Sequence, residues 1–276
     1  MTTPEQPDGS VVRYEKEGAI ARVILDDPKR ANAQTSAMVH AFDDALTRAE
    51  RDYDVKVVVI SSSGKGFCAG HAIPAGPDVY PEFAEEHEAI GTYWKSQSDL
   101  FLTPVARLWE FPKPTIAQVH GYAIGGGTYW ALLPDLTIAS EDAYFQMPLV
   151  QGLGFPGGET MIEPWLMMNW KRAYEYLYTA QTVTAQEALA LGMVNRVVPR
   201  EELEATTQQV AEQIARAPLS TLMATKQLVM RAWELMGMRT HWRMSNDLMT
   251  VTGHTTDAME LRRKLLESGQ RPRDMT

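Results

Sequence analysis

The sequence predicts an α/β fold closed by a C-terminal helical region, and three observations carry that prediction. Short β-branched runs alternate with segments of helical spacing over residues 11–199. Two of these runs deliver glycine-rich loops, Ser62-Ser-Gly-Lys-Gly-Phe-Cys-Ala-Gly-His71 and Gly121-Tyr-Ala-Ile-Gly-Gly-Gly-Thr-Tyr-Trp130. From about residue 200 the pattern becomes helical alone. The expected organisation is a loose polar tail over residues 1–10, an α/β core over 11–199 and a helical region over 200–276.

Val11 to Tyr14 and Ile20 to Leu25 read as two strands joined by the charged turn at Glu15 to Gly18, so a hairpin opens the core. Asp26 to Ala33 breaks the pattern. Ala37, Met38, Ala41, Phe42, Ala45, Leu46 and Ala49 then recur at helical spacing behind a Thr35/Ser36 cap. Val55 to Ser61 is nearly continuous in apolar, β-branched residues, as a strand covered on both faces should be. A proline-rich loop (Ala72 to Pro81) and a helix from Glu82 to Glu110 follow, then strands at Thr115 to Val119 and Leu136 to Ala139. Phe145 to Gly158 reads as a long apolar loop, and helices are expected at Glu159–Asn169, Lys171–Tyr178, Ala185–Leu191, Arg200–Ala217 and Leu219–Leu235, with two more to about Ser268. A short strand at Val194 to Val198 interrupts them. Met and Trp recur from Met223 to Met249, which signals apolar surface buried in the core or between subunits.

With 276 residues, 45% of them hydrophobic, the chain can bury the core of one large domain. A formal net charge of −9 argues against nucleic acid or an anionic membrane as partner. Cys68 is the only cysteine, which leaves no intramolecular disulfide and no Cys-based zinc site, and a cytoplasmic location is expected. No run approaches the roughly 18 apolar residues of a membrane span.

The junction at Gly125 to Gly127 separates a β-like run from a helix start. Glycines there permit a tight turn, and they equally let a ligand approach the free N–H groups at the positive end of the helix dipole. Such a place suits an anion or an oxygen that becomes one.

Several separated motifs agree with one family. Pro28-Lys-Arg-Ala-Asn-Ala33, Gly66-Phe-Cys-Ala-Gly-His71, the run from Pro112 to Gly127, Asp135-Leu-Thr-Ile-Ala-Ser140 with Phe145, and Thr184 to Val198 together resemble the crotonase, or enoyl-CoA hydratase/isomerase, superfamily. The resemblance spans roughly residues 10–268, in the family's order. It implies a crotonase-like spiral of ββα units, a C-terminal helical trimerisation region with trimers often paired into hexamers, and an acyl-CoA thioester ligand. It also implies two backbone N–H groups that hold the thioester oxygen as it gains charge, here on His71, which follows Ala69-Gly70, and on Gly126. Lys29, Arg30, Ala31 and Ala33, with the backbone of Ala69 and of His71, Ala72 and Ile73, would receive the coenzyme A nucleotide, although solvated surface charge explains Lys29 and Arg30 equally well. No cofactor is expected beyond the coenzyme A that the substrate carries, and no metal.

The resemblance further implies two glutamates that handle water and proton, at positions where this chain has Tyr129 and Leu149. Leucine moves no proton, and Leu149 is left as a wall of the acyl pocket. Tyrosine, with a pKa near 10, serves at neutral pH as a donor or acid. Glu159 and Glu163, four apart in the expected helix, are the substitute carboxylates; first-turn carboxylates favoured by the helix dipole are the plainer reading. His71 offers an imidazole as well as its N–H, whereas His120 reads as a packing or capping residue. Tyr129, Trp130, Phe145, Phe155 and Trp165 suggest an aromatic lining for a bulky acyl chain. The expectation is thus an enzyme that polarises a thioester and turns over an enolate, by hydration, isomerisation, decarboxylation or C–C cleavage. The rival is a binding protein that keeps the oxyanion pocket without turnover.

Overall fold

The computed structural model describes residues 10–73, 80, 90–167 and 169–271. The tail before Ser10, most of the proline-rich loop and the start of the helix expected from Glu82 lie outside the described residues. β1 (Val12–Glu17) and β2 (Ile20–Leu25) form the expected antiparallel hairpin. α1 (Ser36–Arg51) starts where Thr35 accepts a hydrogen bond from the Met38 N–H. It buries Met38, Val39, Phe42 and Leu46 against the sheet. β3 (Val57–Ser62) lies parallel to β2. Its side chains alternate between two clusters, Val58 and Ile60 to one and Val57 and Val59 to the other, which is why the whole run is apolar.

α2 (Ile90–Gln97) passes through a π-helical turn at Ser98–Leu102 into α3 (Thr103–Glu110). Then β4 (Thr115–Val119) joins β3 in the large sheet, β5 (Tyr122–Ile124) enters a second, small sheet, and α4 (Gly126–Leu132) packs behind. The pattern repeats: β6 (Leu136–Ser140) pairs with β4, β7 (Tyr144–Gln146) pairs with β5, and α5 (Leu149–Leu153) follows. One turn earlier, Cys68 bridges to Ala123 and occupies the equivalent place beside the small sheet. This is the expected spiral of ββα units.

Two expectations are corrected here. The stretch from Phe145 to Gly158 is not a long loop, since it holds the end of β7 and all of α5; three-residue strands are too short to show a period. The helix expected over Glu159–Asn169 is confined to α6 (Glu163–Met167). Gly157-Gly158 and Met161, at φ 34°, keep the preceding residues irregular. Pro164, with no N–H to donate and a ring that clashes with the carbonyl four residues back, also keeps the helix from starting earlier.

α7 (Trp170–Thr179), β8 (Val183–Thr184), α8 (Ala185–Ala190) and β9 (Arg196–Val198) complete the two sheets, ordered β1-β2-β3-β4-β6-β9 and β5-β7-β8. A capping box between Thr184 and Glu187 starts α8. α9 (Leu203–Ala215) covers the second face of the large sheet through Leu203, Val210 and Ala211. α10 (Leu219–Leu235), α11 (Met238–Gly253) and α12 (Thr256–Ser268) close the chain. Lys226 pins α10 to the sheet: its ammonium lies 3.0 Å from Asp135 and donates to the Lys113 carbonyl at 3.1 Å. Burial lowers its pKa, and Asp135 works against that. No helix among the described residues is long and apolar enough to cross a membrane.

Candidate active site

Two loops from successive turns of the spiral meet backbone to backbone. A Cβ added at Gly70 would stand 2.5 Å from the Ile124 carbonyl oxygen and 3.1 Å from the Gly126 nitrogen. Gly125, at φ 53° and ψ −128°, turns the chain from β5 into α4 with a backbone that only glycine adopts without strain. Neither the His71 N–H nor the Gly126 N–H has an acceptor among the described residues. Two free donors therefore sit where the loops touch, one of them at a helix start.

Side chains converge on the same point. A Cβ at Gly126 would lie 2.8 Å from His71 Nε2 and 2.3 Å from Gln34 Oε1, so imidazole and amide both press on that glycine. Gln34 donates through Nε2 to the Gly126 carbonyl at 3.1 Å, while its Oε1 is buried without a partner among the described residues. His71 Nε2 is 3.6 Å from Glu159 Oε2, outside hydrogen-bond distance but close enough for a charge pair when the ring is protonated. The Phe101 ring packs on the imidazole with centroids 3.9 Å apart, and Tyr80 meets Phe101 edge-on at 5.5 Å. The Tyr80 hydroxyl accepts from the Ala72 N–H at 3.0 Å and donates to the Gln34 carbonyl, tying the two strands of chain beside the site.

A second group lies deeper. The Gly158 backbone crosses the Tyr129 phenol so closely that an added Cβ would fall 1.7 Å from its oxygen. The Tyr129 and Tyr176 hydroxyls, Thr160 Oγ1 and both oxygens of Glu163 are all buried, with no hydrogen-bond partner among the described residues. Burial raises the Glu163 carboxyl to about 7. It raises both phenols well above their ordinary value, and the Glu163 charge adds to the effect on each. At neutral pH these tyrosines are donors, and Glu163 is poised between acid and base.

Of the residues singled out in the sequence, His71, Gly126 and Glu159 are brought together, with Tyr129 and Glu163 behind them. Glu159 and Glu163 do not share a helix face, because Glu159 precedes α6 in irregular backbone; both are nonetheless buried. Glu163 does lie in the first turn of α6, as the plainer reading has it, whereas Glu159 does not. Lys29 and Arg30 are exposed in a short 3₁₀ turn, and Ala31 and Ala33 continue it. The Ala31 carbonyl accepts from Ala69 N–H at 3.1 Å, which moors this turn to the loop bearing His71, Ala72 and Ile73. Leu149 begins α5, half-buried against the core. His120 is buried and contacts the Gly64 carbonyl at 3.1 Å, a packing role. Asp135 is structural, accepting from the Thr115 N–H at 2.8 Å. Cys68 is fully buried and its thiol is pushed up to about 12, so it is no nucleophile.

The aromatic lining needs correction. Trp130 stacks on Phe42 at 4.3 Å and Phe145 lies in the main core, so both serve packing. Phe155 lies under the Arg262 guanidinium at 4.7 Å, and Trp165 packs on Trp233 and His241. Gln34, Phe101, Tyr80, Thr160 and Tyr176 were not legible beforehand. Only Gln34 carried a signal, as a polar residue in the Pro28–Ala33 turn's immediate continuation.

The sequence and fold have counterparts. The enoyl-CoA hydratase/isomerase family profile matches residues 15–272. The short-chain-enoyl-CoA hydratase of Clostridium acetobutylicum is 33% identical over 228 residues, covering 81% of this chain and 82% of that protein. A probable enoyl-CoA hydratase from Mycobacterium thermoresistibile superposes with TM-score 0.82 at 32% identity, over 91% of this chain and 99% of that one. An enoyl-CoA hydratase/isomerase from Xanthobacter autotrophicus Py2 gives 0.81 at 29% identity, over 94% and 95%. A profile that spans nearly the whole chain, on a spiral already visible in the strand order, is decisive: the chain belongs to the crotonase, or enoyl-CoA hydratase/isomerase, family.

Proposed function

We propose that this protein binds an acyl-CoA thioester, places the carbonyl oxygen between the His71 and Gly126 N–H groups, and turns over the enolate that results. The observation that carries the reading is the pair of unpartnered backbone donors with an imidazole–carboxylate pair at the same point. Preorganised donors of this kind contribute several kcal/mol to stabilising a developing oxyanion. His71 and Glu159 then handle the proton in place of the two glutamates whose positions Tyr129 and Leu149 occupy. With a carboxylate so placed, a proton-transfer reaction of the hydratase or isomerase type is favoured over decarboxylation or C–C cleavage. Coenzyme A enters as part of the substrate, its nucleotide against the turn from Lys29 to Ala33 and the backbone of residues 69–73, and no further cofactor is needed.

The test is mass spectrometry of the purified protein incubated with a panel of thioesters: short and long enoyl, malonyl-type, β-keto and aromatic. Gain of water on an enoyl thioester supports the reading. Loss of carbon dioxide or of a carbon fragment would move the reaction to the lyase class. A thioester retained through gel filtration, with no mass change across the panel, would establish the binding protein instead. Turnover with Glu159→Gln unimpaired would remove the proposed proton pair; the expected loss is about a hundredfold or more.

A further inference from the structure

The glycine triplet that carries one oxyanion donor has no side chains to hold it, so its orientation has to be imposed from outside. Gly125 donates to the Gln146 carbonyl and accepts from the Thr128 N–H, each at 2.9 Å. Gly127 lies on the Cys68 backbone, where an added Cβ would collide with the carbonyl oxygen. Gly126, the donor itself, has its carbonyl held at 3.1 Å by the side chain of Gln34, 92 residues earlier in the chain. The backbone of Gln34 grips the other donor. Its N–H donates to the Gly70 carbonyl at 2.8 Å. That carbonyl belongs to the same peptide unit as the His71 N–H, and in a trans peptide the two point in opposite directions, so the bond aims the His71 donor from behind. Gln34 and His71 form a parallel β-bridge, and the Gln34 carbonyl accepts from the Tyr80 hydroxyl. The segment before it is fixed as well: Asn32, fully buried, donates to the carbonyls of Ser63, Gly66 and Phe67.

An apolar side chain of the same length, methionine, would fill this place with no polar atom to satisfy. Glutamine instead leaves Oε1 buried with no partner among the described residues, a costly arrangement. What it gains over methionine is the N–H bond to Gly126. The Gly126 carbonyl can only accept, so Nε2 has to be the atom that faces it. Oε1 is thereby turned toward the imidazole: it and His71 Nε2 both crowd the point where a Cβ on Gly126 would stand. We propose that Gln34 is a positioning residue that sets the spacing and aim of the two oxyanion donors, holding His71 through its backbone and Gly126 through its side chain. The inference rests on the acyl-CoA reading above and does not require Gln34 to touch the substrate.

The experiment uses butyryl-CoA isotope-labelled at the thioester carbonyl carbon. Three quantities are measured on the full chain: the dissociation constant by calorimetry, the shift of the bound carbonyl carbon by NMR, and the rate at which the protons beside the carbonyl exchange in deuterium oxide. In the wild type the carbonyl signal should move downfield on binding, as it does when two N–H groups draw charge onto the oxygen. Gln34→Met should bind within about threefold of the wild type, lose most of the downfield shift and exchange about tenfold to a hundredfold more slowly, because a misaimed donor costs rate before it costs affinity. If Gln34→Met fails to fold, Gln34→Asn decides, since its amide is one carbon too short to reach the Gly126 carbonyl and the same loss of shift is expected. A variant that keeps the wild-type shift, whether or not exchange slows, overturns the positioning role and leaves the oxyanion reading standing. So does a variant that loses binding together with the shift, since the residue then shapes the pocket as a whole. A wild type that binds butyryl-CoA without a downfield shift, or does not bind it at all, overturns the oxyanion reading and this inference with it.

Discussion

Gly126 shows how little freedom single residues have at this site. A methyl group added there would meet the Gln34 amide at 2.3 Å and the His71 ring at 2.8 Å, both ends of side chains that can move aside. Gly126→Ala should therefore fold with nearly wild-type stability and lose about a hundredfold in turnover, because the imidazole is displaced by about an ångström. Thermal melts and steady-state kinetics on the same preparation check both halves. Gly158→Ala is different. Its Cβ would fall 1.7 Å from the oxygen of a Tyr129 ring that is buried and cannot swing away. That variant should lose about 1–3 kcal/mol in urea denaturation. Residue-scale features were partly legible in the sequence: the glycine triplet and His71 stood out by their place after strands. Gln34, Phe101 and Tyr176 did not, because what makes them part of the site is convergence from distant segments, which no local pattern records.

At the scale of elements, helices with caps and strands of five or six residues were readable, and the C-terminal helices α10 and α12 end within a residue of expectation. The three-residue strands β5 and β7 were not, since they are held by pairing with each other and not by any period of their own. The start of α6 was misjudged because the glutamates looked like a helix N-terminus while two glycines and Pro164 prevented one. α10 is fastened to the sheet by one buried cation. Lys226→Ala would leave Asp135 without its ammonium and remove the bond to the Lys113 carbonyl. The expected cost is about 3 kcal/mol, read by chemical denaturation, with Lys226→Met recovering part of it through packing.

For the whole molecule, the buried Glu163 makes stability depend on pH in an unusual direction. Its folded-state pKa is raised from 4.5 to about 7, so below about pH 4.5 its contribution is fully present. As pH rises toward about 7 the unfolded chain releases the proton while the folded one keeps it, and about 3 kcal/mol is lost. Denaturation across that window should show the slope in the wild type and not in Glu163→Gln. The outer surface carries a second message. Met244, Leu248 and Val251 lie on one exposed face of α11, at spacings of four and three residues. We expect this stripe to be covered in a homotrimer or hexamer, and Leu248→Glu with Val251→Glu to sediment as a monomer where the wild type does not. The two free N–H groups, finally, are carried by segments held in one sheet: β3 leads to His71, β4 leads through β5 to Gly126, and the β3–β4 pairing sets Val58 opposite Thr115. Their separation is thus an alignment tolerance of the sheet. A slip of one residue would shift one donor by about 3.3 Å, more than a hydrogen bond can absorb. A chain folded with that error could be full of secondary structure and still be inert, so catalytic activity is a stricter gauge of correct assembly than any spectrum of its helices.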